Sequence, residues 1–481
     1  MLKRTLAAAG LAAVLAAPAA AQATYNVAAS APAGFDRAAT GRATLAHLQN
    51  LIRLNTQNPP GNEALTAAYF DSVFRTVPGV ETHVLTVAPG RANFVARLRA
   101  ARPTKKPVLI LGHMDVVGAD TAKWETDPFV PTLRDGYLYG RGAIDDKGML
   151  AAALVAMQEL ARGRDRMTRD VIFLATAAEE GGPSVGIDSV VANHRALLGD
   201  AEFALNEGGR IRIRNGRVST VNIQTTEKVY YNVVATATGT GGHGSVPLPG
   251  NALAALARAV NRVHEWKPPV RLIETTRLYF ARLAPIETDP ELRRAMEALT
   301  APGATQAAIA QAAAVLSRET LYNAVLRTGA SLTLLNGGFR SNVIPSEGKA
   351  TFNVRIIPGE DIRQVVAEMN RVAAEPSVRF ELDGEPLPSP APSPVATDLY
   401  RSMEASARVM APSAVVLPFM STGATDGAVL RGAGIPTYGI LPMPLPDEDE
   451  LRMHGDNERV PVAALGWATE YLYRVLSGVA R

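Results

Sequence analysis

The sequence predicts an α/β fold with a second, smaller domain inserted into it, on three observations. Short apolar runs that read as buried strands alternate with helical periodicity from Ala43 to Leu205. Three of those runs end in turns bearing histidine or acidic residues, where open α/β sheets place their ligands. The texture changes after Val229 and returns at Asp398, so the first domain is interrupted and then resumed.

A chain of 481 residues can bury two or three ordinary cores. Hydrophobic residues at 47% and charged residues at 20% give a soluble globular balance. The net charge is +3, and Lys3 and Arg4 supply two of those positives. The rest is near neutral without a long basic run, which argues against nucleic acid as a partner. Lys3 and Arg4, the Ala/Leu-rich run 6–17 and the mostly small residues 19–23 read as a signal peptide over 1–23. The mature chain is therefore expected to be exported, periplasmic or secreted. No other stretch is long and apolar enough for a bilayer, so stable membrane insertion is not expected. Cysteine is absent, which excludes disulfides, thiolate zinc sites and cysteine nucleophiles; a metal site must use His, Asp and Glu.

Leu45, Leu48, Leu51 and Ile52 space a helix over 43–54. A Pro-Pro-Gly loop over 56–62 and a helix over 63–76 follow. Residues 93–98 alternate as a strand. The run 108–111 is continuously apolar, as a strand covered on both faces requires, and ends in Gly112-His113-Met114-Asp115. Alternation puts His113 and Asp115 on one face. That is either a metal ligand with a carboxylate to fix its tautomer or a satisfied core pair. Residues 140–148, Gly-Arg-Gly-Ala-Ile-Asp-Asp-Lys-Gly, run straight into a helix over 149–160. Aspartate is favoured at a helix start whatever the function, and Asp146 takes that reading, while Asp145 is read as a metal ligand. The strand 170–176 leads to Glu179-Glu180-Gly181-Gly182. Adjacent carboxylates repel, so a cation is needed: one can bind a metal while its neighbour works as a base. A third strand, 201–205, ends in Asn206-Glu207-Gly208-Gly209.

Beyond Val229 the expected order is strand 230–238, loop 239–249, helix 251–266, an Ala-rich helical insert 289–326, strands 331–336 and 349–356, helix 361–374 and strand 378–382. This is a small antiparallel sheet carrying two helices. Proline-rich 385–394 reads as the return linker. Helix 399–411, a glycine loop 419–429, strand 437–441 and helix 462–476 complete the chain, with Met453-His454-Gly455-Asp456-Asn457-Glu458 before the last helix. The limits are 24–228 and 386–481 for the larger domain and 229–385 for the smaller.

Seven segments resemble, in order, a family of zinc metallopeptidases that includes aminoacylase, acetylornithine and succinyl-diaminopimelate deacylases, carboxypeptidase G and carboxypeptidase S. They are Gly-His-Met-Asp at 112–115, the segment 127–148, Glu-Glu-Gly-Gly at 179–182, Asn-Glu-Gly-Gly at 206–209, Gly-His-Gly-Ser-Val-Pro at 242–247, Asn-Val-Ile-Pro at 342–345 and Met-His-Gly-Asp-Asn-Glu at 453–458. The resemblance implies a mixed sheet flanked by helices, of the zinc exopeptidase type. It also implies that the insert is an α+β, ferredoxin-like lid and dimerisation domain.

It further implies two zinc ions, with Co²⁺ or Mn²⁺ as substitutes. His113 and Glu207 would hold one, Glu180 and His454 the other, and Asp145 would bridge them. Asp115 would orient His113, and Glu179 would be the general base. His243 would stabilise the oxyanion, as a member of a homodimer reaching across it. Asn342, Arg355 and Arg340 would hold substrate, Arg355 through a carboxylate, and Gly423 would line the pocket. Asn206 departs from the aspartate that many relatives carry there. The implied reaction is hydrolysis of an amide or peptide bond beside a free carboxylate, in a small peptide or N-acyl amino acid. The competing readings are a metal- or peptide-binding protein that has lost catalysis, and a serine hydrolase at Ser245, whose surroundings lack the nucleophile-elbow pattern.

Overall fold

The computed structural model describes residues 25–181 and 185–481. The expected signal peptide and Gly182 lie outside them. An eight-stranded sheet runs, edge to edge, Val80–Ala88, Arg91–Leu98, Val171–Thr176, Val108–His113, Phe203–Arg214, Thr437–Pro446, Arg217–Glu227 and Val415–Ser421. The four strands from Val171–Thr176 to Thr437–Pro446 are mutually parallel. The hairpin Val80–Leu98 joins them antiparallel, so the sheet is mixed, as expected.

The parallel strands are apolar throughout because both their faces are covered. On one face pack the helices Arg37–Arg53, Lys147–Ala161 and Val462–Ala480, around Leu51, Leu154, Trp467 and Leu472. On the other, Leu109, Leu111, Ile172 and Leu174 meet Ile187, Val190 and Leu430. Lys147–Ala161 lies so deep that small residues dominate it, and nearly every side chain is buried.

The third predicted strand does not stop at Asn206. It continues to Arg214 and turns back through Asn215-Gly216. Both turn residues are left-handed (φ 51° and 70°), the two-residue hairpin geometry that Asn-Gly favours. The strand Val415–Ser421 runs into the predicted loop 419–429, and the strand Thr437–Pro446 is twice the predicted length. Asp146 precedes its helix without a side-chain capping bond, contrary to the cap reading.

The smaller sheet is antiparallel, in the order Gly329–Gly337, Glu347–Ile356, Val229–Thr238, Val378–Asp383. Helices Ala252–Glu265 and Ile362–Ala373 share its core with Val233, Phe352 and Phe380. The helical insert begins earlier than predicted and forms Glu274–Leu283, Pro290–Thr300, Gln306–Leu316 and Thr320–Leu326. These helices bury Leu417, Phe419 and Met420 of the larger sheet's edge strand. No helix among the described residues is long and apolar enough to cross a membrane.

Candidate metal centre

His113 ends the central strand Val108–His113, two residues before Asp115. Gly112 before it cannot carry a side chain: a Cβ there would sit 2.1 Å from Asp146 Oδ2. His113 Nε2 faces Asp145 Oδ1 at 2.9 Å, and Nδ1 lies 3.0 Å from the Asp115 carbonyl oxygen. The Asp115 carboxylate is farther from the ring, 3.6 Å from Nδ1. It instead accepts the backbone N–H groups of Glu179 (3.1 Å) and Glu180 (3.0 Å) and the Asn58 amide (2.9 Å). Asp115 therefore fixes His113 mainly through its backbone, and its side chain shapes the Glu179-Glu180 turn.

Asp145 stands between the two imidazoles. His454 Nε2 lies 3.1 Å from Asp145 Oδ2 and 3.1 Å from Glu180 Oε1. Glu180 Oε1 is buried without a hydrogen-bond partner, so its approach to His454 is close but not aligned as a hydrogen bond. Ligand atoms of His113, Asp145 and Glu180 lie within 4.8 Å of one another. Ala178 (φ 59°) and His454 (φ 61°) are both left-handed. Such backbone costs about 1–3 kcal/mol per residue and persists where surrounding contacts enforce it.

A brace for the centre comes from Glu458, which the sequence did not single out. It is buried, pairs with Arg141 at 2.7 Å and accepts the N–H groups of Gly142 (3.0 Å), Ile144 (2.7 Å) and Asp145 (3.2 Å). Arg141 in turn donates to Gly455 O at 2.8 Å. The Asp145 loop is thereby tied to the His454 loop. The pairing of Arg141 with the last residue of the 453–458 motif was the available signal.

The charges call for a cation. Burial opposes a charged His113 ring, yet the Asp115 and Asp145 carboxylates outweigh it and raise the ring well above the ordinary imidazole value. Asp145 and Glu180 push His454 up to about 10. Glu207 is buried outside the three-residue cluster but within electrostatic reach of it. Burial and the Asp145 carboxylate push its carboxyl up to about 8. Burial, with Glu207, Asp426 and Asp145 nearby, raises Glu179 well above the usual carboxylate range. A metal cation supplies the positive charge these carboxylates demand, and the His, Asp and Glu donors suit a divalent ion of zinc type. The residues present therefore fit a metal.

A cleft of about 1070 Å³ opens beside the centre. Glu179, Glu180 and Asp426 line its polar part, and Ile187, Val191, Leu387 and Val429 line an apolar part. Gly423 sits on the loop at its edge, held by Ser421 Oγ at 3.1 Å.

The other predicted residues lie on the smaller sheet's side. Gly242–His243 pairs with Val343–Ile344, Gly244 N donates to Asn342 O at 2.7 Å, and Val343 N donates to Arg340 O at 3.2 Å. His243, Arg340 and Asn342 thus form one exposed patch. His243 Nδ1 accepts the Ser245 backbone N–H at 3.1 Å, which leaves Nε2 to carry the ring proton. Ser245 Oγ contacts the same Nδ1 at 2.7 Å from an exposed loop, not a strand-to-helix elbow. Arg355 donates to Asn353 at 2.9 Å and lies over the Tyr230 ring. No hydrogen bond between these residues and the His113–His454 centre is present among the described residues.

Fold and centre together define a metal-dependent hydrolase. Residues 109–478 match the model of peptidase family M20/M25/M40, and the chain belongs to that family. It is 28% identical to human N-fatty-acyl-amino acid synthase/hydrolase PM20D1 over 389 residues, 79% of this chain and 75% of that protein. It is 24% identical to human aminoacylase-1 over 434 residues, 89% of this chain and 93% of that protein. The fold is similar to that of the M20 metallo-carboxypeptidase Sso-CP2 of Sulfolobus solfataricus (TM-score 0.66, 19% identity, 90% of this chain and 98% of that one). It is also similar to human carnosine dipeptidase 1 (TM-score 0.64, 17% identity, 92% and 97%).

Proposed function

We propose that the protein hydrolyses an amide or peptide bond next to a free carboxylate, with two zinc ions as cofactor and Co²⁺ or Mn²⁺ as substitutes. The observation that carries this reading is the Asp145 carboxylate, with one oxygen on His113 and the other on His454. On this reading His113 and Glu207 hold one metal, Glu180 and His454 the other, and Asp145 both. When bound, the metals would supply Lewis acidity and lower the pKa of a water. Glu179 is the group of this chain that would accept a proton from the attacking water and deliver it to the leaving nitrogen. His243 Nε2–H is the donor for the developing oxyanion. Arg355, Arg340 and Asn342 hold the substrate, with the Arg355 guanidinium on its carboxylate.

The apolar half of the cleft supports an N-acyl amino acid with an apolar acyl group over a polar peptide. The similarity to PM20D1 points the same way. The smaller sheet's order, with two helices, supports a ferredoxin-like lid over 229–385 between the catalytic segments 24–228 and 386–481. Its unpaired edge strand exposes Leu332, Leu334 and Leu335, which supports homodimerisation through it. The residues of 1–23 support export.

The test is hydrolysis of a panel of dipeptides and N-acyl amino acids with added zinc, by the native chain and by Glu179→Gln. The variant should lose about 10³-fold or more in kcat while retaining metal. Equal hydrolysis by both would remove Glu179 as the base.

A further inference from the structure

We propose that Asn93 is a positioning residue: its buried amide clasps the two ends of the segment that carries Glu179 and Glu180, at Ala177 and Val185. This rests on the reading of Glu179 as the base and Glu180 as a ligand. Asn93 lies on the strand Arg91–Leu98, which pairs antiparallel with Val171–Thr176, and their last backbone pair is Phe94 with Ala175. Beyond that pair the Asn93 side chain takes over from the ladder. Its Oδ1 accepts the Ala177 N–H at 2.9 Å, and its Nδ2 donates to Val185 O at 2.7 Å. Among the described residues no backbone group serves either the Ala177 N–H or Val185 O. A carboxamide is the short side chain that accepts and donates at once through separate atoms. Asn93 and Ala177 are both fully buried, so the N–H loses its partner if the amide is removed.

Gly186 brings the same two ends together independently. A Cβ on it would sit 2.1 Å from Ala177 O, so the backbones of entrance and exit are in contact and no side chain fits between them. The helix Ile187–Asn193 that follows buries Ile187 and Val190 against Leu109, Leu111, Ile172 and Leu174. The exit is thus seated on the sheet, and Asn93 ties the entrance to it.

The turn between depends on such ties. The N–H groups of four successive residues, 177–180, all go to side chains: Ala177 to Asn93, Ala178 to Glu63 Oε1 at 3.3 Å, and Glu179 and Glu180 to Asp115. Ala178, directly after the clasp, is the left-handed residue that turns Glu179 and Glu180 toward the centre. Glu63 is itself buried and held by Arg91 at 2.8 Å, two residues before Asn93. The strand Arg91–Leu98, which carries no motif, therefore fixes the turn directly through Asn93 and at one remove through Arg91.

The test uses the full metal-loaded chain and the best substrate of the panel. Asn93→Ala should lower kcat about 10- to 100-fold, the cost of slight misplacement, with KM changed less than about 3-fold. Gly186→Ala wedges the same neck from the other side and should lower kcat by a similar factor, again with little change in KM. The double variant Asn93→Ala/Gly186→Ala should be no slower than the slower single variant by more than about 3-fold. Hydrogen–deuterium exchange reads the clasp without catalysis. In Asn93→Ala the amides of 177–180 should exchange about 10-fold faster or more, while those of the strand Val108–His113 change less than about 2-fold. Native kcat in Asn93→Ala, or exchange at 177–180 that rises no more than in Val108–His113, overturns the proposal. Retained activity in Glu179→Gln overturns the base instead, and the exchange then still reports the clasp.

Discussion

Asp115, Glu458 and Asn58 do at the scale of single residues what the sequence motifs do not reveal. His113, Asp145, Glu180 and His454 were legible because each stands in a short segment rich in glycine and acid. Asn58 and Glu458 were not, because their partners lie 57 and 317 residues away. Asp115 was read as the residue that orients His113, but its carboxylate serves the neighbouring turn more than the ring, a distinction that alternation along a strand cannot make. Glu458 carries a prediction. With Arg141 replaced by Met, its carboxylate stays buried without its ion pair, which costs about 3–5 kcal/mol. Urea denaturation should show that loss, and zinc titration should show weaker binding as the Asp145 loop is freed.

Asp170 makes a second prediction at this scale. Burial pushes its carboxyl up, but the Ala100 N–H at 2.8 Å and the Arg97 and Arg99 guanidiniums more than offset this and hold it below its ordinary value of 3.8. A depressed folded-state pKa gives stability that is present above the unfolded value and lost as pH falls through the folded one. The urea midpoint of the native chain should therefore exceed that of Asp170→Asn at neutral pH. The gap should close as the pH drops below about 4.

Among the elements, the strand Val108–His113 was read with almost its final limits because it is buried on both faces and its apolar run ends one residue before Gly112. The hairpin through Asn215-Gly216 was missed although its turn pair is a strong signal, because its second strand carries Thr, Asn and Gln in place of clean alternation. Gln224 and Glu227 are buried there for hydrogen bonding, not for hydrophobic packing. The Ala-rich insert read as one helical stretch because alanine spacing marks helices and not the breaks between them. Gly112 predicts an element-scale effect. In Gly112→Ala the new methyl meets Asp146 Oδ2, forcing the strand away from the helix Lys147–Ala161 and costing about 1–3 kcal/mol of overpacking. Calorimetry should show a lowered Tm, and zinc content after dialysis should fall with it.

For the molecule as a whole, the centre joins residues from 113 to 454, so a cation there binds the folded chain and not the unfolded one. A metal held at about 1,000 times its Kd adds about 4 kcal/mol to stability. Chelation should lower Tm by several degrees and added zinc should restore it; an unchanged Tm would mean that the centre does not hold a metal tightly. The exposed edge strand makes a separate prediction. On the proposed dimer through this strand, native sedimentation should be that of a dimer, and Leu334→Asp with Leu335→Lys should shift it to monomer without changing Tm by more than about a degree, since both side chains are exposed. Layer order and the interrupted domain were visible in the sequence. The seating of the insert's helices on Leu417 and Phe419 was not, because nothing local in those helices names the face they cover.

The helix Arg37–Arg53 near the start of the chain and the final helix Val462–Ala480 are neighbours, joined by the ion pair of Arg37 with Glu470 and a Thr44–Thr469 hydroxyl contact of 2.6 Å. A polypeptide emerging head first from a ribosome thus presents the helix Arg37–Arg53 long before its partner exists. The sheet face that these helices share stays incompletely covered until the tail has been delivered.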